Sequence, residues 1–328
     1  MNSLYSHTKA DLDKAFATLS ESLFAKARDA ECLECDPSPK ILVVAGTQGS
    51  GKTYLLENKL LPSGRYENHV SLYLPSFRKH HPQYERMKDH GIRHVYEHTN
   101  KFVWDLGNRV LDHALENRYN IIMETALDSA KFADFPADAV KAGYQFEVHM
   151  IACQKEFSHW ATLDRFVKSV ASDEVERVLT LSAIEASQLN ARAILDAFEN
   201  ACTQVPGSEI TLYHRGIETG MESKPLCHSE CTSPSELTPQ AQYYDQPFTS
   251  LPRLNPYFEI RRNASANFPC SYLQYAQVVN AGMIDAQVRE EMVKYSCKTM
   301  ELAQALMPDV PSEVFRELSL YVMKYIYP

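Results

Sequence analysis

The sequence has 328 residues, of which 45% are hydrophobic and 23% charged, a balance typical of a globular protein with its own core. Its 33 basic and 42 acidic residues give a net charge of −9, which argues against nucleic acid or an anionic membrane as the main partner. At roughly 150 residues per domain, the length predicts about two domains, or one domain with an appendage.

Two features of the sequence bear on localisation. The first residues lack a basic segment followed by an apolar run, so no secretion signal is predicted. The longest purely apolar stretch, Ile41 to Ala45, is far too short to span a bilayer. We therefore expect a cytoplasmic protein that is not inserted in a membrane.

Strands and helices alternate along the first two thirds of the sequence. Apolar runs of strand length occur at residues 41–45, 69–74, 120–123, 146–153 and 209–213. Helical patterns occur at residues 8–30, 54–61, 102–117, 130–142 and 155–200. This alternation predicts an α/β protein with a parallel sheet flanked by helices and joined by right-handed crossovers.

The pattern changes after Gly220. Residues 221–265 are rich in Pro and Ser and show no period, so a loop or linker is predicted there, with 209–213 as the last strand. Residues 271–326 return to helical spacing and predict a helical C-terminal extension. The predicted boundaries are 1–219 for the α/β domain, 220–265 for the linker and 266–328 for the extension.

The cysteines raise one metal hypothesis. Cys32-x-x-Cys35 and Cys227-His228-x-x-Cys231 have spacings that suit tetrahedral zinc. Because the two halves lie far apart in the sequence, free thiols in a reducing compartment are the favoured interpretation.

A phosphate-binding loop is predicted directly after the first strand. The segment matches the pattern G-x-x-x-x-G-K-S/T in full, and it leaves a buried strand and enters a helix, as the pattern requires. Glycines let backbone N–H groups point at phosphate oxygens, and the helix N-terminus adds its positive end. We expect Lys52 to bridge the β- and γ-phosphates of a nucleoside triphosphate and Thr53 to hold Mg²⁺. The predicted nucleotide-binding residues are Gly46, Thr47, Gln48, Gly49, Ser50, Gly51, Lys52 and Thr53.

Other segments narrow the class of phosphate-loop protein. A GTPase would carry an Asn-Lys-x-Asp motif, and the sequence contains none. A motor-type ATPase would end a buried strand in Asp, whereas the third predicted strand ends in Glu124 and Thr125. These features favour a small-molecule or nucleotide kinase, in which lid arginines contact the transferred phosphoryl group.

Several segments resemble, in order and spacing, those of the zeta toxins of bacterial toxin–antitoxin systems. Phe-Arg-Lys-His-His-Pro-Gln-Tyr at residues 77–84 is similar to the family's Phe-Lys/Arg-x-x-His-Pro-x-Tyr/Phe segment. Glu-Thr-Ala at residues 124–126 looks like its Glu-Gly/Thr-Thr signature, and Gly-Tyr at 143–144 looks like its Gly-Tyr turn. The resemblance covers about residues 8–215.

The resemblance implies a kinase with ATP and Mg²⁺ as cofactors. The family's reaction transfers the γ-phosphoryl group of ATP to a hydroxyl of a nucleotide sugar of the UDP-N-acetylhexosamine type. Some pathogen effectors with the same fold act instead on a dinucleotide such as NAD. The resemblance also implies a small helical antitoxin or chaperone as protein partner, and delivery into a host cell as a second location.

The resemblance further implies roles for individual side chains. Arg165 belongs to a pair that resembles the family's Arg-aromatic pair, and Arg177 is the counterpart of its second lid arginine. Lys52, Arg165 and Arg177 would stabilise charge that develops on the phosphoryl oxygens. Thr53 would place the metal, and Glu124 would help to position the acceptor.

The sequence departs from the family pattern at one catalytic position. The family has an Asp two residues before the Phe of the His-Pro segment, as the presumed general base, and this chain has Pro75 there. Asp128 likewise stands where the family has an Arg. Either the base has moved or phosphoryl transfer is impaired. The alternative function is therefore an ATP-binding pseudokinase that acts as a regulatory module.

Four side chains are candidates for a relocated base, because they are expected near the carboxyl edge of the sheet, where open α/β folds bind ligands. Glu124 is favoured, because a carboxylate at the end of a buried strand indicates a functional role. Asp128 is interpreted as a helix cap. His80 and His81 are interpreted as surface or turn residues.

Overall fold

The computed structural model describes residues 5–25, 38–172, 178–253, 271–283 and 285–326. Its strands are β1 (Lys40–Ala45), β2 (His69–Leu72), β3 (Asn120–Thr125), β4 (Gln145–Cys153), β5 (Glu209–Arg215), β6 (Lys224–Ser233), β7 (Glu236–Pro239), β8 (Gln242–Tyr243) and β9 (Gln246–Pro247). Its α-helices are α1 (Lys9–Leu23), α2 (Lys52–Leu55), α3 (Leu74–Phe77), α4 (Tyr84–Lys88), α5 (Ile92–Glu116), α6 (Phe135–Lys141), α7 (Lys155–Ser172), α8 (Leu181–Gln204), α9 (Ser271–Val279), α10 (Ala286–Ala305) and α11 (Ser312–Ile326).

The main sheet has seven strands in the order β2-β3-β1-β4-β5-β6-β7. Strands β1 to β5 run parallel to one another. β6 is antiparallel to β5, and β7 is antiparallel to β6. Residues 41–45 of β1 are buried, as expected for a central strand covered on both faces. The predicted α/β fold, a parallel sheet flanked by helices with a helical C-terminal extension, is confirmed.

The stretch predicted as a loop or linker contains strands. β6 pairs with β5, β7 pairs with β6, and β8 and β9 form a separate two-stranded sheet. The prediction of 209–213 as the last strand is therefore wrong. The sequence of β6 is Lys-Pro-Leu-Cys-His-Ser-Glu-Cys-Thr-Ser. It lacks a hydrophobic run because part of the strand faces a polar cluster, so the sequence did not indicate that this segment pairs with β5.

Two predicted elements have different ends in the structure. The helix predicted at residues 54–61 is irregular: α2 passes into a π-helical turn and then into a 3₁₀ turn that ends at Ser63. The strand predicted at residues 69–74 ends at Leu72. Pro75 lies in the first turn of α3, where proline suits a helix start because that position needs no N–H donor.

Helices cover both faces of the sheet. On one face, Phe102 of α5 and Phe198 of α8 belong to the largest buried cluster. On the other face, Leu55 of α2 packs with Leu42 of β1. Helix α1 confirms the start of the helix predicted at 8–30, whose last residues, 26–30, lie outside the described residues.

The C-terminal helices pack in two places. α9 buries Tyr275 in the main core. α10 and α11 pack instead on α7, in a separate cluster that includes Phe157, Leu163, Met292 and Leu318. This packing sets α10 beside α7, the helix that contacts the loop after β1.

Candidate functional site

The loop after β1 has a backbone that only glycine fits at two positions. Gly49 and Gly51 have φ of 81° and 83°, in the left-handed region that disfavours side chains. A Cβ on Gly49 would also lie 2.1 Å from the carbonyl oxygen of Ser158. Gly51 is the residue before the first turn of α2, so the loop passes directly into a helix N-terminus. This is the geometry that the predicted phosphate loop requires.

Helix α7 holds the loop from the other side. The Ser158 hydroxyl donates a 2.6 Å hydrogen bond to the carbonyl oxygen of Gln48 and lies 2.9 Å from Oγ1 of Thr47. Ser158 is fully buried, so these contacts are shielded from water. Nothing in the sequence around Ser158 signals this contact, because it joins residues more than a hundred positions apart.

Lys52 reaches back over the loop. Its Nζ donates hydrogen bonds to the carbonyl oxygens of Gly46 and Thr47, at 2.8 and 2.9 Å. Burial lowers the pKa of Lys52 to about 8; the charge of Glu124 opposes this shift, and the charge of Arg165 acts in the same direction as burial. The ammonium therefore lies at the phosphate end of the loop, close to both charged side chains.

Two oxygen-bearing side chains meet beside Lys52. The Thr53 hydroxyl donates a 3.1 Å hydrogen bond to Oε2 of Glu124. Glu124 lies at the end of β3, opposite Val44 of β1, so the sheet register brings it to the loop. Burial raises the pKa of Glu124, although Lys52 and the hydrogen bond from Thr53 work against this rise. A hydroxyl and a carboxylate together are ligands of the kind that Mg²⁺ takes.

One of the two predicted lid arginines lines a large cavity beside the phosphate loop. Arg165 on α7 lines this cavity, and its charge lowers the pKa of Lys52, as expected for two cations near one phosphate position. Arg177 lies outside the described residues, so its role stays a prediction.

Two further arginines line the cavity and were missed as site residues. Arg215 at the end of β5 donates from Nη1 to the carbonyl oxygen of Gly49, at 3.0 Å. Arg78, in the His-Pro segment, stacks its guanidinium 4.0 Å from the centre of the Tyr96 ring. Arg215 could have been identified as a basic residue at the carboxyl end of a parallel strand. It was missed because the predicted strand ended at residue 213.

The loop borders a cavity of about 1040 Å³. Helix α10 supplies part of its wall through Tyr295, Lys298 and Thr299. The Thr299 hydroxyl donates a 2.9 Å hydrogen bond to Oδ1 of Asp164, the residue before Arg165. The aromatic side chains of the lining are Tyr54, Tyr73, Tyr96, Trp104, Phe132, Trp160 and Tyr295.

Of the four candidates for a relocated base, the two carboxylates line the cavity. In the described part of the chain, the lining includes Pro75, Glu124 and Asp128 but neither His80 nor His81. His81 lies directly after the 3₁₀ turn Arg78–His80, so the turn interpretation holds for it, but its side chain is buried and not at the surface. Burial lowers the pKa of His81 to about 4.

Asp128 is not the helix cap that the sequence suggested. The cap of the following 3₁₀ turn is Ser129, whose hydroxyl accepts from the backbone N–H of Lys131 at 3.3 Å. Asp128 instead accepts a 3.1 Å hydrogen bond from Ser187 of α8. The carboxylate is held from α8 at the cavity edge, a contact that local sequence could not predict.

The zinc hypothesis does not fit the arrangement of β6. Within the described residues, neither Cys227 nor Cys231 is in a disulfide bond, and Cys231 packs in the main core. His228 lies on the other face of the sheet, with Nδ1 2.8 Å from Oγ1 of Thr211. Cys32 and Cys35, the other half of that hypothesis, lie outside the described residues.

The geometry is that of a candidate phosphate-loop nucleotide site on a kinase-like fold. The family model described as Zeta toxin matches residues 25–219, more than half of the chain. The chain therefore belongs to the zeta toxin family, whose members are kinases, and the resemblance seen in the sequence is confirmed.

Solved structures share this fold at low identity. The chain is similar to a protein of the PezAT chromosomal toxin–antitoxin system of the human pathogen Streptococcus pneumoniae, at 19% identity and a TM-score of 0.51, over 67% of this chain and 81% of that one. It is also similar to the structure of AvrRxo1-ORF1:AvrRxo1-ORF2 with sulphate ions, at 12% identity and a TM-score of 0.58, over 95% of this chain and 88% of that one. For the AvrRxo1-ORF1:-ORF2 structure with ATP, the identity is 12% and the TM-score is 0.56, over 98% of this chain and 96% of that one.

No curated protein matches the chain. Among the described helices, none combines the length and apolar character that crossing a bilayer demands.

Proposed function

We propose that this protein is an ATP-dependent kinase that transfers the γ-phosphoryl group to a hydroxyl of a nucleotide-type acceptor. The observation that carries the proposal is the phosphate loop with Lys52, Thr53 and Glu124 gathered at one end of a large cavity. Membership of the zeta toxin family supports it, as does a neighbour whose structure contains ATP.

The chain offers a site for Mg²⁺ that fits the ion's preference for oxygen ligands. Thr53 would hold the ion through a lone pair of its hydroxyl oxygen, while the hydroxyl proton stays donated to Glu124. When bound, the ion neutralises charge on the β- and γ-phosphates.

Lys52 and Arg165 stabilise the negative charge of the transferred group. Both lie at the cavity, and their mutual repulsion falls when an anion sits between them. Arg215 holds the carbonyl of Gly49 and so fixes the loop's shape. We assign Arg177 the part of a second lid cation, on the basis of its place in the sequence.

The reaction joins the acceptor hydroxyl oxygen to the γ-phosphorus and breaks the bond to the β–γ bridging oxygen, which leaves with ADP. The hydroxyl proton passes to a carboxylate at the cavity, and we assign this part to Glu124. Burial raises the pKa of Glu124 and so makes it a stronger base. Asp128 is the second candidate, because it also lines the cavity.

The acceptor class proposed is a nucleotide sugar of the UDP-N-acetylhexosamine type or a dinucleotide such as NAD. The cavity volume is just above the range of about 300–1,000 Å³ for ligand sites, which leaves room for a donor and an acceptor. Its aromatic side chains suit the faces of bases, and Arg78, Lys168 and Lys298 suit acceptor phosphates.

A second function, an ATP-binding pseudokinase, is favoured by one observation. Pro75 lines the cavity where the family's presumed base is an Asp, and proline accepts no proton. This alternative predicts ATP binding without turnover. Phosphoryl transfer depends mainly on positioning and charge stabilisation, so we favour the active kinase.

A protein partner is part of the proposal. The similar structures come from a toxin–antitoxin system and from two-protein complexes. We propose a small helical antitoxin or chaperone that binds this chain, and a site of action in the cytoplasm of the producing cell or of a host. Residues 1–219 form the proposed kinase unit, 220–265 the segment that follows and 266–328 the extension.

The test of the proposed function is product analysis. The purified protein is incubated with Mg-ATP and a panel of nucleotide sugars and dinucleotides, and each acceptor is examined by mass spectrometry for an added phosphoryl group. A phosphorylated acceptor with matching ADP supports the kinase. ATP binding by calorimetry with no product from any acceptor supports the pseudokinase.

A further inference from the structure

Three glutamates from neighbouring strands lie side by side on one face of the sheet. Glu147 of β4 is the register partner of Glu209 of β5, and Glu209 is the register partner of Glu230 of β6. Like charges directly opposite each other destabilise a sheet. The row lies near the amino-terminal ends of β4 and β5, at the opposite edge from the phosphate loop.

The charge of Glu147 is compensated by this chain. His149 Nε2 lies 3.0 Å from Oε1 of Glu147, and NH2 of Arg65 lies 3.2 Å from the same oxygen. The Tyr66 hydroxyl donates a short hydrogen bond to it. The first carboxylate of the row is therefore satisfied by three donors.

Glu209 and Glu230 have a different environment, because both approach one imidazole nitrogen. Nε2 of His228 lies 3.1 Å from Oε1 of Glu230 and 4.0 Å from Oε2 of Glu209. A single N–H on that nitrogen can be directed at only one of the two carboxylates. One imidazole nitrogen therefore lies between two carboxylates.

The side chains of Glu209, His228 and Glu230 are arranged as metal ligands would be. One ligand atom from each of Glu209, His228 and Glu230 lies within 4.8 Å of the other two. Nδ1 of His228 lies 2.8 Å from Oγ1 of Thr211, a contact of the kind that orients metal-bound histidines. His228 is 3% exposed, and the Tyr243 ring covers it at a centroid distance of 4.6 Å.

We propose that Glu209, His228 and Glu230 bind one divalent transition-metal ion, with Zn²⁺ as the preferred ion. One imidazole nitrogen and two carboxylate oxygens suit zinc and leave a fourth position for water. The ion takes the place of a proton on Nε2 and offsets both carboxylates. It ties β5 to β6, away from the phosphate loop, and so is independent of the proposed kinase reaction.

The experiment is a Zn²⁺ titration of chelator-treated full-length protein against a chromophoric competitor, together with thermal denaturation. Glu209→Gln and His228→Gln are the test variants. Glu236→Gln is the matched control, since Glu236 is an exposed carboxylate on the neighbouring strand β7. Thr211→Val keeps all three ligands and removes only the hydroxyl beside His228.

The wild type and Glu236→Gln are expected to bind one equivalent of Zn²⁺ and to melt at a higher temperature when it is present. Glu209→Gln and His228→Gln should lose both effects, and Thr211→Val should bind roughly 10- to 100-fold more weakly. Without zinc, Glu209→Gln should melt no lower than the wild type, because it removes a like-charge contact.

Two results would overturn the proposal. One is zinc affinity that is unchanged in Glu209→Gln and His228→Gln but lost in Cys227→Ser, which assigns the ion to a thiol. The other is a metal-free Glu209→Gln protein that melts well below the wild type and a wild type that zinc does not stabilise. That outcome assigns the cluster to a hydrogen-bonded ion pair.

Discussion

The Oγ1 hydroxyl of Thr53 donates a 3.1 Å hydrogen bond to Oε2 of Glu124, which links the first turn of α2 to the end of β3. The two residues are far apart in the sequence and belong to two motifs that were identified separately. Their contact joins the phosphate loop to the only acidic residue of the third strand. It is the feature on which the proposed chemistry depends.

The pH profile of the reaction follows from Lys52 and Glu124. Burial raises the pKa of Glu124, so the base is protonated at low pH and kcat/KM should rise as pH increases through that raised value. Burial lowers the pKa of Lys52 to about 8, so kcat/KM should fall again above about pH 8 as the ammonium loses its proton. A pH series of initial rates checks both limbs.

The acidic limb can be assigned with Glu124→Gln and Asp128→Asn. Glu124→Gln should lower the rate by roughly 10²-fold or more and remove the acidic limb. Asp128→Asn should keep the limb. If the limb persists in the first variant and disappears in the second, the base is Asp128.

Gly49→Ala should disable the loop. The new Cβ would lie 2.1 Å from the Ser158 carbonyl oxygen, at a φ that already costs a non-glycine residue about 1–2 kcal/mol. ATP affinity, measured by calorimetry, should fall by at least roughly tenfold. Gly64→Ala is the control, because Gly64 also has a left-handed φ but its nearest neighbour would be 3.8 Å away. Equal losses of ATP affinity in both variants would contradict the proposed close contact.

Ser158→Ala tests the link between α7 and the loop. Loss of this hydroxyl leaves the Gln48 carbonyl without its donor, and the free energy of unfolding should fall by about 1–3 kcal/mol. ATP affinity should fall with it. Ser169→Ala on the same helix is the control, since Ser169 is also buried but donates to a carbonyl one turn away. Chemical denaturation and ATP titration of both variants provide the comparison, and a loop that keeps full ATP affinity in Ser158→Ala would refute the anchoring role.

Pro75→Asp tests the missing base. The new carboxylate would lie in the first turn of α3 and at the cavity, a helix position where a negative charge is tolerated. If a carboxylate at this place still suits the site, kcat should rise, by up to about 10²-fold. Pro75→Asn separates the charge from the loss of the ring. A rise in Pro75→Asn of the same size would exclude a role for the new base.

Sequence patterns identified the parts of the site that are local. The glycines, Lys52 and Thr53 follow one another in a single motif between a buried strand and a helix, and Glu124 ends a short apolar strand. Ser158 and Arg215 were missed because their partners, Gln48 and Gly49, are distant in the sequence. No local pattern specifies such contacts.

The fold, like the site, could be predicted only where its elements have a local sequence pattern. Continuous apolar runs revealed the parallel strands, whereas β6 was hidden because its His228 and Glu230 face a polar cluster. The sequence also did not predict that α10 forms part of the cavity wall. Helical spacing predicts that a helix exists, but only tertiary packing brings Tyr295 to the site.

The most direct test of the kinase is acceptor-dependent transfer from γ-labelled ATP, measured for the wild type, Lys52→Ala and Lys59→Ala. Lys59 is an exposed lysine in the π-helical turn after α2 and serves as the matched control. The account predicts labelled acceptor from the wild type and Lys59→Ala, and a loss of at least roughly 10²-fold in Lys52→Ala. Equal labelling by all three proteins, or none from a wild type that binds ATP, would contradict it.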